Sequence, residues 1–166
     1  MRPLSVIVRT VCNVFAWFMV VYGTYIIVHG HLSPGGGFQG GAVVATFIAF
    51  LLVAHGGGKV FGWVRKGVYT ALEQTGLLLF IGAGFLGIGT TFFYNVLAKR
   101  GGLFGATVPL GPNAGVLNSS GTIALANIAV GLEVVGGLSL ILLYMSKASL
   151  SSPKEETQGK EAGHDR

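Results

Sequence analysis

The sequence predicts an all-α polytopic membrane protein with four transmembrane helices, and three observations carry that prediction. Hydrophobic residues make up 51% of the 166-residue chain and charged residues only 10%, for a mean hydropathy of +0.68; an average globular domain is about 25% charged. The apolar residues are gathered into four long runs of the kind that cross a bilayer. Glycine supplies 28 residues, more than twice the usual share of about 7%, and lets helices approach closely where lipid gives no solvent-driven reason to pack. A soluble globule, a disordered chain and a disulfide scaffold are therefore excluded, the last because Cys12 is the single cysteine.

The first span, Val6 to Val28, has 23 residues, or about 34 Å of helix. It is too long for the apolar core of a signal peptide and lacks a small-x-small exit, so it is expected to stay as a span. The second, about 38–55, holds 14 uninterrupted apolar or small residues from Gly41 to Ala54, about 21 Å, and reads as a short helix. The third is expected over about 72–94 and the fourth over 122–144. Tyr22, Tyr25, Trp63, Tyr69, Tyr94 and Tyr144 fall near these ends, as interfacial aromatic residues do. No run alternates with period two, which disfavours a β-barrel. Residues 1–146 thus form the transmembrane domain, and 147–166, rich in Lys, Glu and Gly, form a polar tail expected to be mobile.

Positive charge orients the bundle. Arg2, Arg9, Lys59, Arg65, Lys66, Lys147, Lys154, Lys160 and Arg166 fall on one side, against Lys99 and Arg100 on the other. The bias places both termini in the cytoplasm and the chain in the cell membrane as a multi-pass protein. The same scatter of basic residues at the ends of apolar runs explains the net charge of +5 without a nucleic-acid partner.

Most short motifs fail on context. G-x-G-x-x-G occurs at Gly35, Gly37, Gly40 and at Gly82, Gly84, Gly87, but neither copy follows a strand, so no dinucleotide site is expected. His29 and His31 have the wrong spacing for one helical face, and His55 is expected on the opposite side, so no metal site is expected. One cysteine cannot hold an iron–sulfur cluster. No cofactor is expected in this chain. The segment from Gly30 to Gly41 survives: Pro34 followed by Gly35, Gly36 and Gly37 cannot continue a helix, yet it leads directly into a span. Two readings stay open. It is a tight outer turn whose glycines let a helix pack, or it is irregular backbone lining an ion path.

The string His31-Leu-Ser-Pro-Gly-Gly-Gly-Phe-Gln-Gly-Gly41, after one long span and opening a second, resembles the B subunit of Mrp-type multisubunit sodium/proton antiporters. The same family includes the equivalent subunit of archaeal membrane-bound hydrogenase and sulfur-reductase complexes. The likeness extends to the hydropathy plan over about residues 5–146, while its specific part is this segment of about a dozen residues. It implies a small four-helix subunit inside a large complex that moves Na+ and H+. Its partners would be other Mrp-type membrane subunits, and hydrogenase or sulfur-reductase subunits where the module is redox-driven. Since the larger antiporter-like subunits of that family are credited with pumping, the chain would be accessory and not itself an enzyme.

The ionisable residues fit that role. Glu133, at the midpoint of the fourth span, is the one such group expected near the bilayer centre; a charge there costs roughly 2.5–3.5 kcal/mol on insertion scales, so it must be protonated, paired or facing water. It is either part of an ion path or a bond that fixes assembly. Candidate path residues are Glu133, His31 and the backbone of Pro34, Gly35, Gly36 and Gly37. Arg9 and Glu73, both expected in first turns at the cytoplasmic face, are candidates for a structural pair. Gly76, Ala83, Gly87 and Thr90 fall within an arc of about 60° on an ideal helix and form a candidate packing stripe. A purely structural assembly subunit and a stand-alone homo-oligomeric channel are the alternatives; four spans with one central carboxylate offer few ion ligands to the latter.

Overall fold

The computed structural model describes residues 4–33, 35–108 and 115–151, and within these the chain is helical with no strand. Four helices are long and apolar enough to cross a membrane: α1 (Val6–Val28), α2 (Gly36–His55), α4 (Lys66–Phe85) and α5 (Thr122–Ser151). A fifth, α3 (Gly57–Trp63), is a single short piece between the second and third spans. Large apolar side chains point outward along the spans, with Ile7 77%, Trp17 65% and Leu78 70% exposed. Such a surface is stable only against lipid or other membrane helices.

Helix α1 begins at Ser5, whose hydroxyl accepts from the Val8 amide, and ends where the His29 amide closes on the Tyr25 carbonyl. Helix α2 starts inside the glycine run, with Gly36 at φ +54°, and reaches 20 residues because Gly36–Gly40 extend the apolar core into the helix. It stops at Gly56, whose φ of +79° turns the chain into α3.

The third span differs from expectation. Helix α4 runs 66–85, six residues earlier at its start and nine earlier at its end than the 72–94 read from hydropathy. Its 20 residues give about 30 Å, one hydrocarbon thickness. After Phe85 the chain hooks back: the Phe93 amide donates to the Gly84 carbonyl, with Phe93 at φ +63°. The Phe92 and Phe93 rings lie on the bare face of Gly84, and Phe93 tilts against Phe80 with 5.2 Å between ring centres. The hook is as apolar as a helix, so hydropathy could not separate the two. Helix α5 is seven residues longer than the fourth expected span and carries Lys147 to Ser151 as helix; the rest of the tail lies outside the described residues.

Helix α1 packs antiparallel on α2, α2 packs parallel on α5, and α5 packs antiparallel on α4, while α1 and α4 do not touch. Glycine makes each seam. Gly23 and Gly40 interlock between α1 and α2, Gly37 and Gly41 lie on the backbone of α5, and Gly76 and Gly136 bring α4 and α5 together. One end of the bundle closes on an apolar cluster of Ile48, Val60 and Leu143 and on Lys66, whose ammonium stands 5.2 Å from the Phe61 ring centre and 5.0 Å from that of Tyr144. At the opposite end, Asn95 holds the start of α5. Its carboxamide oxygen accepts from the Thr122 amide at 2.8 Å and hydroxyl at 2.9 Å, and its nitrogen donates to the Ser120 carbonyl. A residue far along the chain thus does the work of an N-cap.

Candidate functional site

The glycine segment between α1 and α2 folds as a tight turn over α5, and Asn127 is its organiser. The Asn127 carboxamide oxygen accepts from the Gly37 amide, one of the amides left free at the start of α2, and its nitrogen donates to the Ile27 carbonyl at the end of α1. Asn127 therefore ties both ends of the turn to a third helix. Gly30 and Gly36 abut the Asn127 side chain, and a methyl group on Gly37 would strike the backbone of Asn127 and Gly131. The Gln39 side chain folds over Gly35. Pro34 lies outside the described residues. Sequence reasoning missed Asn127 because its partners are 90 and 100 residues away. The available signal was an amide side chain within an apolar span, which needs partners wherever it lies.

His31 sits on the same turn. Its Nε2 is 3.3 Å from the Val116 carbonyl, which makes that nitrogen the donor, while Nδ1 is buried with no partner among the described residues. Glu133 is elsewhere. It lies six residues beyond Asn127 on α5, about 9 Å along the helix and about 120° around it. The structure therefore does not bring His31, Gly35, Gly36 and Gly37 together with Glu133. Glu133 is half-buried in the α4–α5 seam, with its backbone nitrogen against Gly76.

The remaining candidates divide in the same way. Gly76 and Ala83 face the seam, Ala83 being 3% exposed. Gly87 and Thr90 lie past the end of α4, where a Gly87 side chain would meet the Tyr94 backbone and the Thr90 hydroxyl donates to the Gly87 carbonyl. The four residues are not one stripe, because the helix that would align them ends at Phe85. The Arg9–Glu73 pair is not formed. Arg9 is on α1 and Glu73 on α4, which stand apart, and the Arg9 Nε is buried without a partner among the described residues. Glu73 instead lies along α5, its backbone against Gly136 and its carboxylate beside Gly137.

A second polar contact joins α1 and α2 near the Arg9 end. His55 Nε2 donates to the Asn13 carboxamide oxygen at 2.9 Å, and the imidazole meets the Trp63 ring edge-on with 5.0 Å between centres. Among the described residues no group of three or more His, Cys, Asp or Glu side chains is placed to hold a metal ion.

Comparison with known proteins places this architecture. The family model described as "Domain related to MnhB subunit of Na+/H+ antiporter" matches residues 7–140. The uncharacterized protein MJ1307 of Methanocaldococcus jannaschii is 32% identical over 130 residues, 77% of this chain and 47% of that protein. "Putative antiporter subunit mnhB2" of Staphylococcus saprophyticus is 38% identical over 53 residues, 32% of this chain and 36% of that protein. The protein of the same name from Staphylococcus aureus (strain MRSA252) is 26% identical over 149 residues, 88% of this chain and 97% of its own length. The chain thus spans about half, or less, of the length of the first two relatives. With a family model covering most of its length, the chain belongs to the family of domains related to the MnhB subunit of Na+/H+ antiporters.

Proposed function

We propose that the chain is a small accessory membrane subunit of an Mrp-type cation/proton antiporter module that couples Na+ and H+ translocation. The module stands free or forms part of a redox-driven complex of the membrane-bound hydrogenase or sulfur-reductase kind. In this reading the chain is a transporter component and not an enzyme, both termini are cytoplasmic, and it carries no cofactor, Na+ and H+ being the ions moved by the whole complex. The observation that carries the reading is the pairing of the family match with a bundle poor in ionisable groups. Among the described residues, the interior of the spans holds Glu73 and Glu133 as its acidic groups, too few for a proton relay. Glu133 and His31 are the candidates for one wall of an ion path, at separate places in the bundle.

The alternative, a purely structural assembly subunit, is favoured by the turn itself. Asn127 and the backbone of α5 occupy the space beside Gly30, Gly36 and Gly37, which supports a packing role for those glycines. Mild-detergent purification of the tagged protein from its native membrane, with mass spectrometry, tests the main reading. Recovery of several antiporter-like subunits is expected, and hydrogenase or sulfur-reductase subunits in the same particle would identify the energy source. Recovery of the chain alone as a homo-oligomer would overturn it. Within an assembled complex, Glu133→Gln with unchanged Na+/H+ exchange would remove Glu133 from any ion path, and a His31 variant with the wild-type pH profile would remove His31.

A further inference from the structure

The start of α4 at Lys66 changes the standing of Glu73. Seven residues into the helix, it lies about 10 Å inside the span, not in its first turn. At this depth its carboxylate faces α5: a Cβ built on Gly137 would be 3.5 Å from the Glu73 Oε1 and 3.8 Å from Cδ. Gly137 is one turn beyond Glu133 on the same face of α5. The Glu73 carboxylate therefore borders Gly137, and Glu133 stands about one helical turn from that glycine on the same flank of α5. Ala126, Val130, Glu133 and Gly137 follow at helical spacing and are all half-buried, so this flank of the seam is partly exposed, with small residues at Ala126 and Gly137. A shallow groove of about 310 Å³, lined by Phe80, Ala83, Phe93, Ile123 and Ala126, continues it toward the start of α5.

Nothing in the described chain neutralises the pair. Neither carboxylate accepts a hydrogen bond or an ion pair among the described residues. Lys66 is two turns away and engaged between two aromatic rings, Lys147 lies nearly four turns past Glu133, and Arg9 is on a helix that does not reach α4. Charge at this depth is retained only with a partner.

We propose that this flank receives a transmembrane helix of a partner subunit bearing a lysine or arginine at the depth of Glu73 and Glu133. The inference rests on the accessory-subunit reading and names the chemistry of its interface. A symmetric second copy presenting this same flank does not fit, because it would bring two more carboxylates and no cation against the pair. A bare cation fits less well, because the helical carbonyls nearby are committed to their own hydrogen bonds and leave few ligands. The small residues Ala126 and Gly137 give the incoming backbone room to approach.

The test uses the intact complex, with a small diazirine side chain at Val130 and otherwise native sequence. The expected product is a crosslink to one membrane helix of an antiporter subunit, with a Lys or Arg within one turn of the crosslinked residue. The double variant Glu73→Gln/Glu133→Gln should lower recovery of that subunit at least tenfold while the chain itself stays helical in the membrane. Glu133→Lys combined with the partner's basic residue changed to Glu should restore it. A crosslinked helix without a basic residue, or crosslinks only between copies of this chain, overturns the proposal. So does a double Gln variant that assembles fully yet loses Na+-dependent exchange, which would place an ion between the carboxylates. If no antiporter subunit co-purifies at all, the accessory reading itself has failed; if subunits co-purify and the crosslink lacks a basic residue, only the docking proposal has.

Discussion

Replacing Asn127 with leucine keeps the branched shape of the side chain and removes both of its hydrogen bonds. The two bonds are not equal. The Ile27 carbonyl also accepts from the Gly30 amide at 3.3 Å, so it keeps a partner when the Asn127 nitrogen is lost. The Gly37 amide, one of the free amides at the start of α2, donates to Asn127 and is left bare. An orphaned, partly buried amide costs about 1–3 kcal/mol, while the lost second bond is worth about 0.6 kcal/mol by the average measured between membrane helices. Asn127→Leu should therefore destabilise the bundle by roughly 1.5–3.5 kcal/mol, a ten- to few-hundred-fold change in the unfolding equilibrium. The orphaned amide dominates. Asn127→Asp would keep an acceptor for the Gly37 amide but set a carboxylate oxygen against the Ile27 carbonyl, so it should not restore wild-type stability. Unfolding of the detergent-purified protein by sodium dodecyl sulfate, followed by circular dichroism, gives the free-energy difference, and protease cutting at residues 29–37 reports the turn. A leucine variant within about 0.5 kcal/mol of wild type, with an unaltered turn, would refute the view that Asn127 holds the helix junction.

Two glycines on α4 give a paired test of the seam. Gly76→Ala would place its methyl group 2.5–2.8 Å from the backbone of Glu133 and Ala129, which cannot yield without moving the helix; the overpacking cost of about 1–3 kcal/mol should exceed the gain of up to about 1 kcal/mol in helix propensity. Gly82→Ala meets nothing within 4 Å and should stabilise the isolated chain by up to about 1 kcal/mol in the same assay. Asn95→Ala removes the remote cap of α5 and should cost about 0.5–2 kcal/mol, seen as faster amide exchange in the first turn after Thr122.

The four spans were legible in the sequence because lipid imposes one pattern, a long apolar run, and α1 lies where that pattern put it. The end of α4 was not legible. Leu86 to Tyr94 is apolar enough to be helix, and its departure from helix is set by Phe92 and Phe93 returning onto Gly84, a contact that only the folded hook creates. The displaced start of α4 had the larger consequence, since it moved Glu73 from the membrane surface to the interior. Arg9 and Glu73 attract each other on paper as opposite charges at similar depth, but helix neighbours are chosen by the glycine seams, and those put α5 beside α4 and leave α1 on the far side. The turn at Gly30–Gly37 was visible as a break in the helix, while the residue that satisfies it, Asn127, could be found only by asking where the freed amides go.

The distribution of glycine and polar residues suggests how such a bundle holds together without a core in the aqueous sense. Between helices in lipid, burying apolar surface offers little gain, so stability must come from close backbone approach and from polar groups with no other partner. The seams at Gly23–Gly40, Gly37–Gly131 and Gly76–Glu133 supply the first, and Asn127, Asn95 and the His55–Asn13 contact supply the second near the helix ends. Each of these polar groups is satisfied within the chain. Glu73 and Glu133 follow the same rule of placement, on a seam between two helices beside a bare glycine, but their partners are missing from the described residues. Where Asn127, Asn95 and the His55–Asn13 contact are satisfied among the described residues, two carboxylates left unmatched on one partly exposed flank mark that flank as one side of an interface.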